Sequence, residues 1–122
     1  MAVTYYNASD IEKQVREVIF KLGMKHIQSG KILCLRSHGS RSKKSFARTY
    51  KLSDAQRTQM GVKSQYVIEV ISENFDALAK AAKIKTIIHE LLHIPKKVRD
   101  NFKCHGQVSR AEVEKLYKQM RS

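Results

Sequence analysis

The most constraining feature of the sequence is an aliphatic helical segment that ionisable residues interrupt on one side. Helical sequence extends from about Asn74 to Ile94, either as one helix or as a short turn followed by a longer helix, and Pro95 predicts its end. The segment carries five aliphatic side chains whose pattern predicts burial: Ile84, Ile87, Ile88, Leu91 and Leu92. His89, Glu90 and His93 interrupt that pattern. Buried ionisable groups are unfavourable unless they are paired or bound to a metal, so this face of the helix is a candidate site.

The spacing His-Glu-x-x-His, formed by His89, Glu90 and His93, has a chemical explanation in zinc binding. Residues four apart lie on one face of a helix, so both imidazoles can reach one tetrahedral Zn²⁺ at about 2.0–2.1 Å. Zinc lowers the pKa of a bound water towards ~7, and Glu90 can then act as the general base that removes its proton as the water attacks a carbonyl. The alternative is a core helix whose histidines are satisfied by hydrogen bonds, with Glu90 on the surface.

A catalytic zinc usually takes a third protein ligand, and the sequence offers several candidates. We favour His105, which follows His93 by twelve residues, beyond a loop long enough to bend back. A glutamate of the last predicted helix, Glu112 or Glu114, would serve in a site with a carboxylate ligand. Cys104 is a further candidate, whose thiolate would make the site softer and more structural.

The rest of the chain predicts an α+β fold with a small sheet, in a single domain of residues 1–122. Residues 31–36 indicate a strand, and the β-branched run 66–71 indicates the clearest strand of the chain. The alternation from Phe46 to Leu52 predicts another strand, paired with the strand at 31–36 in a hairpin. Ser53 and Asp54 are suitable caps for a short helix.

Two further helices are predicted at the ends of the chain. Apolar residues at helical spacing predict an N-terminal helix that Ser9 caps and Gly23 ends. Ser109 and Glu112 have the spacing of a capping box, which predicts the start of a C-terminal helix.

The formal charge of +13, from 24 basic and 11 acidic residues, favours an anionic partner, most often nucleic acid. Between Arg36 and Lys51 the chain has basic residues and no acidic ones, interleaved with Phe46 and Tyr50. The cations suit phosphates, and an aromatic ring can stack on an unpaired base. The candidate contacts are Arg36, Arg41, Lys43, Lys44 and Arg48. In the alternative, the cations coat a solvated hairpin, and we favour an arrangement in which both aromatic rings face the core.

The composition predicts a cytoplasmic protein that has no membrane partner. No apolar run approaches the ~20 residues of a membrane helix, and residues 1–10 lack the pattern of a signal peptide. The two cysteines, Cys34 and Cys104, fit free thiols in a reducing compartment, with a single disulfide as the alternative. The oligomeric state is not indicated by the sequence.

Several segments together resemble the predicted HExxH metallopeptidases of archaea and phages, which are related in architecture to SprT-like zincins. The specific segments are His-Glu-Leu-Leu-His-Ile-Pro at 89–95 and His-Gly at 105–106, preceded by the strand 66–71 and by Ser-His-Gly-Ser at 37–40. The similarity covers about residues 30–118. It implies a zincin-like fold with a mostly antiparallel sheet, zinc ligands His89, His93 and His105, and Glu90 as catalytic base.

Three functions are consistent with these patterns. The first is a zinc endopeptidase acting on a peptide or protein, which in such folds pairs with an edge strand beside the metal. We expect the strand 66–71 to be that edge, and Tyr117, Tyr66 and His38 are candidates for stabilising the oxyanion. The second is a nucleic-acid-binding protein whose zinc is structural or absent, and the third is a metallopeptidase fold that has lost activity.

Overall fold

The computed structural model describes residues 3–25, 27, 31–39, 45–94 and 108–121. The expected α+β fold is confirmed, with a small sheet, an N-terminal helix, a helix that carries the HExxH residues and a C-terminal helix. In chain order the described elements are β1 (Thr4–Asn7), α1 (Ser9–Leu22), β2 (Ile32–His38), β3 (Ala47–Lys51), α2 (Asp54–Met60), β4 (Tyr66–Ile71), α3 (Ser72–Phe75), α4 (Lys80–Leu92) and α5 (Arg110–Arg121). Within these residues no helix combines the length and apolar character needed to cross a membrane.

The four strands form one mixed sheet in the order β1-β2-β4-β3. β1 pairs antiparallel with β2, β2 pairs parallel with β4, and β3 pairs antiparallel with β4, so two of the three pairings are antiparallel. The predicted β2–β3 hairpin is therefore wrong, because β4 lies between these two strands. The prediction that residues 66–71 form an edge is wrong for the same reason: β3 and β1 are the edges of the described sheet.

The burial of β4 explains its central place. Five of its six residues are buried, as expected for a strand that has a neighbour on each side and a parallel pairing. β1 was not predicted, and all four of its residues are exposed, so it lacks the apolar alternation by which a strand is recognised.

Helices cover one face of the sheet, and the alternation of side chains assigns residues to that face. Ile32 and Cys34 of β2 and Ile68 and Val70 of β4 belong to the same buried cluster as α1, α4 and α5. Cys34 is a free thiol, and its burial raises its pKa to about 12, which leaves it protonated and unreactive at neutral pH.

Most helix boundaries follow the sequence signals. Gly23 ends α1 in the left-handed conformation (φ 61°), whereas Ser9 is already helical and Ala8 is the N-cap, with no side-chain cap. Ser53 caps α2 in a reciprocal capping box with Gln56. The backbone N–H of Glu112 donates to Ser109 Oγ at 3.1 Å, as predicted for the start of α5.

The stretch from Asn74 to Ile94 adopts the second of its two predicted forms, a short turn followed by a longer helix. α3 ends at Phe75, α4 begins at Lys80, and its helical residues end at Leu92. Pro95 lies outside the described residues.

Arg36 of β2 forms ion pairs with Asp10 in α1 and with Asp76 after α3. Its guanidinium donates to both carboxylate oxygens of Asp10 in α1 (3.0 and 3.1 Å) and to both oxygens of Asp76 after α3 (2.9 and 3.2 Å). Hydrogen bonding to Arg36 lowers the pKa of Asp10. Bidentate pairs of this kind are the strong form of the ion pair. Arg36 therefore has a structural partner on each side, which leaves its guanidinium poorly placed to bind phosphate.

Replacing Arg36 by Gln should lower the free energy of unfolding by about 1–2 kcal/mol at pH 7, a modest loss because both carboxylates are partly exposed. The folded pKa of Asp10 is lowered, so its contribution is present above the unfolded pKa and is lost as the pH falls through the folded pKa. Urea titrations at pH 7 and at pH 3 measure both effects. Arg16→Gln, which removes a looser ion pair with Glu12 (3.9 Å), is the control. If the Arg36→Gln protein is no less stable than this control, the ion pairs of Arg36 with Asp10 and Asp76 do not stabilise the fold.

Candidate metal centre

The candidate centre lies at the C-terminal end of α4, and the aliphatic pattern of that helix positions it. Ile87, Ile88 and Leu91 are at most 1% exposed, so they fix the rotation of the helix against the core. Glu90 and His93 are buried as well, at 4% and 6% exposure, and His89 is half-buried. The expectation that these residues stand at a buried face is therefore confirmed, and the alternative with Glu90 on the surface is wrong.

His89, Glu90 and His93 converge on one point. One donor atom from each residue lies within 4.8 Å of the others, and in the described part of the chain this is the group that can hold a metal ion. The two imidazole rings have centroids 5.0 Å apart and planes inclined at 73°. A tetrahedral site with bonds of 2.0–2.1 Å separates two donors by about 3.4 Å, so the donors need to approach by no more than about 1.4 Å to share an ion.

The end of α4 also suits a cation electrostatically. The last carbonyls of a helix carry partial negative charge, which favours positive charge beside them. His89 lies in the last turn, and His93 is the C-cap with helical dihedral angles (φ −68°, ψ −22°). Two imidazoles, a carboxylate and a helix C-terminus together form a donor set that fits a divalent cation such as Zn²⁺.

Thr49 of β3 holds Glu90 and was missed by the sequence reasoning. Its hydroxyl lies 3.2 Å from Glu90 Oε1 and 3.3 Å from the Glu90 carbonyl oxygen, so it donates to one or shares its proton between them. This contact ties the edge strand to the centre. The signal in the sequence was the alternation of side chains along β3. We predicted that Phe46 and Tyr50 face the core, and alternation then places Thr49 on the opposite, solvent side.

Of the candidates for the third metal ligand, the structure describes only the two glutamates. His105 and Cys104 lie outside the described residues, so both remain predictions. Glu114 forms an ion pair with Lys85 (3.0 Å), and neither Glu112 nor Glu114 joins the metal-binding group in the described chain. The carboxylate alternatives therefore lose support.

The three oxyanion candidates occupy different surroundings. His38 is 67% exposed at its side chain and lies 3.3 Å from a Glu73 carboxylate oxygen. Tyr66 packs against the core cluster, and the ring of Tyr117 lies under the Lys85 ammonium, 5.0 Å from its centroid. None of these contacts directs a donor at the metal-binding group, so they remain unranked predictions.

The basic candidates separate into three cases. Arg36 is engaged by two carboxylates, as described above. Arg48 is half exposed at its side chain, with its Nε 3.8 Å from the buried Glu69. Arg41, Lys43 and Lys44 lie outside the described residues. Phe46 and Tyr50 are 43% and 37% exposed, so the prediction that both face the core is wrong.

Comparison with known proteins adds the family to this geometry. The chain matches no curated protein and no solved structure. Residues 3–120 match the model of the family described as "Putative phage metallopeptidase", a span that includes all the described elements except the last residue of α5. This match and the converging His89, Glu90 and His93 lead to one conclusion: the chain belongs to the phage metallopeptidase family.

Proposed function

We propose that the protein is a zinc-dependent peptidase in which His89 and His93 hold the metal and Glu90 is the general base. The observation that carries the proposal is the convergence of two imidazoles and one carboxylate within 4.8 Å at the buried end of α4. Zn²⁺ held there would act as a Lewis acid and make a bound water acidic near neutral pH. His105 remains our choice for the third ligand.

The role of Glu90 in this proposal follows from its surroundings. Its carboxylate lies beside both imidazoles, with Oε1 3.2 Å from the Thr49 hydroxyl, so it would stand next to a water bound to a metal held there and take up a proton from that water. The same carboxylate can then pass that proton to the leaving amine. Burial would limit the access of bulk water, and the Thr49 hydroxyl, 3.2 Å from Oε1, would fix one carboxylate oxygen and leave the other to take up the proton.

The edge strand β3 is the proposed platform for the substrate. It pairs with β4 on one side and is the last strand of the described sheet. An extended peptide can add to such an edge through main-chain hydrogen bonds. Because Thr49 connects β3 to Glu90, a peptide lying along this strand passes the proposed metal centre.

The test is hydrolysis of an unfolded protein, such as reduced and alkylated casein, by the zinc-loaded protein. We expect cleavage that 1,10-phenanthroline stops and that added Zn²⁺ restores after the chelator is removed. Cleavage that persists when the protein's metal content is shown to be zero would contradict the proposal. So would a zinc-loaded, folded protein that cleaves neither casein nor a mixed peptide library.

A further inference from the structure

The side of the sheet opposite the helices carries an unusual set of side chains, which we call the outer face: Tyr5, Arg48, Tyr50 and Glu69, with Phe46 just before β3. The register assigns the four strand residues of this set to this side. Arg48 pairs with Glu69 and Tyr50 pairs with Val67, whereas Ala47 and Thr49 face the helices and α4. Tyr5 of β1 pairs with Ser37 of β2. Ser37 is two positions from Leu35, and Leu35 pairs with Glu69, so Tyr5 lies on the same side of the sheet as Glu69.

Aromatic rings are accessible at the two edges of this face, on β1 and beside or on β3, whereas the side chains that β4 places between them are buried. Tyr5 is 55% exposed, Phe46 43% and Tyr50 37%, and the side chain of Arg48 is 51% exposed. Arg48 and Tyr50 are alternate residues of β3 and Phe46 precedes the strand, so in sequence a cationic residue alternates with two aromatic ones. Groups of exposed aromatic side chains on one surface often mark a binding site.

A buried carboxylate holds this arrangement in place. Glu69 is 4% exposed, and its oxygens meet two neighbours: Oε1 lies 3.4 Å from the Tyr50 hydroxyl and Oε2 lies 3.8 Å from Arg48 Nε. Burial and the charge of Glu69 raise the pKa of Tyr50 to about 12, so its hydroxyl stays protonated and donates. A smaller contribution to this pKa comes from Tyr5, in agreement with two phenols on the same side of the sheet. Tyr50 and Arg48 are thus oriented before any ligand arrives.

Positive charge continues beyond the rings. An open cleft of about 740 Å³ lies where β2 and β4 begin, and its lining includes Lys31 and Lys63 together with an ion pair between Arg57 and Asp54. Gln65 and Lys31, which line the cleft, are joined by a hydrogen bond from the N–H of Gln65 to the carbonyl of Lys31. At the same end of the sheet Lys51 pairs with Tyr66, and Tyr50 is the residue before Lys51. The topology therefore places the cleft at the end of the sheet nearest Tyr50. The chain as a whole carries +13.

We propose that the outer face binds single-stranded nucleic acid, with Tyr5, Phe46 and Tyr50 as stacking surfaces for bases and Arg48 as a phosphate contact. Every base has a flat face that stacks on an aromatic ring, and cations alongside track the backbone. Unpaired strands are favoured over a duplex because stacked, paired bases do not offer their faces to aromatic side chains. This surface is distinct from the metal centre, and its binding does not depend on hydrolysis.

The experiment measures fluorescence anisotropy of a labelled oligothymidylate of about 12 nucleotides, a length within the range that one such surface covers. Wild-type protein should bind it with an affinity that falls as salt rises. Tyr5→Ala and Phe46→Ala should each weaken binding by about 5- to 100-fold. Phe20→Ala is the matched control, since Phe20 is 87% exposed on α1, among the helices. The melting temperature of each variant establishes that it is folded.

The charge contribution has its own matched pair. Arg48→Gln should reduce the slope of log affinity against log salt by about one, while Lys21→Gln, an equal change of charge at an exposed position of α1, should leave the slope nearly unchanged. Equal losses in Phe20→Ala and Tyr5→Ala, or in Lys21→Gln and Arg48→Gln, would overturn the proposal in favour of general attraction by a basic protein. Absence of binding at low salt would overturn it as well.

The same variants distinguish nucleic acid from two other possible ligands of the outer face, a peptide and a second copy of the chain. If the face binds peptide, Tyr5→Ala and Phe46→Ala will weaken casein cleavage and leave oligonucleotide affinity unchanged. If the face is an interface between two copies of the chain, these variants will convert a dimer to a monomer in sedimentation without changing oligonucleotide affinity. Either result would overturn the proposal.

Discussion

Replacing Glu90 by Gln should lower the rate of peptide hydrolysis by about 10²–10⁴-fold while leaving zinc binding intact. The amide has nearly the shape of the carboxylate and keeps an oxygen that can accept from Thr49, so the buried end of α4 should remain folded. The amide cannot take up a proton at neutral pH. The measurement is the kcat of casein cleavage together with zinc content per chain.

The control for this substitution is Glu17→Gln, the same chemical change on an exposed position of α1. It should leave both rate and metal content near the wild-type values. A Glu90→Gln protein that keeps more than about a tenth of the wild-type kcat would remove Glu90 from the role of general base. One that loses its zinc would show that the carboxylate is needed to hold the ion.

Replacing Ile88 by Ala should lower the free energy of unfolding by about 2–5 kcal/mol, a large part of the stability of a small domain. Ile88 is fully buried in the core cluster, so truncating it leaves a cavity in the packing that holds α4. Urea denaturation of the metal-free protein measures the loss. Phe20→Ala removes a larger but 87% exposed side chain and should cost far less.

Metal should compensate for part of this loss. An ion that binds the folded chain more tightly than the unfolded chain raises stability, so added Zn²⁺ should raise the urea midpoint of Ile88→Ala. The same addition should have little effect on His93→Ala, which lacks a ligand. If zinc stabilises both variants equally, the ion binds elsewhere. If Ile88→Ala is as stable as Phe20→Ala, the packing described for α4 is wrong.

Local signals predicted much of the fold, whereas strand pairing was not predictable in the same way. The Ser53 cap of α2, Gly23 at the end of α1 and the aliphatic face of α4 depend on residues close in sequence, and each appears in the structure. Whether β2 and β3 are neighbours depends on whether another strand of the sheet lies between them. Alternation within a strand does not encode its neighbours, so the insertion of β4 was missed.

The candidate site shows the same division. The spacing of His89, Glu90 and His93 is a local property of a helix, and the structure brings these residues together as expected. Thr49 reaches Glu90 across 41 positions of sequence, and no motif signals that contact. Arg36 was grouped with a basic segment because its neighbours are basic, but its partners Asp10 and Asp76 are distant in sequence.

The most direct test of the central claim is zinc content per chain, measured by mass spectrometry on purified and reconstituted protein. We predict about one zinc in the wild type, about one in His38→Ala, whose histidine is exposed and pairs with Glu73, and none in His93→Ala. No zinc in the wild type after reconstitution, or the same zinc content in His93→Ala, would contradict the assignment of the metal centre to the end of α4.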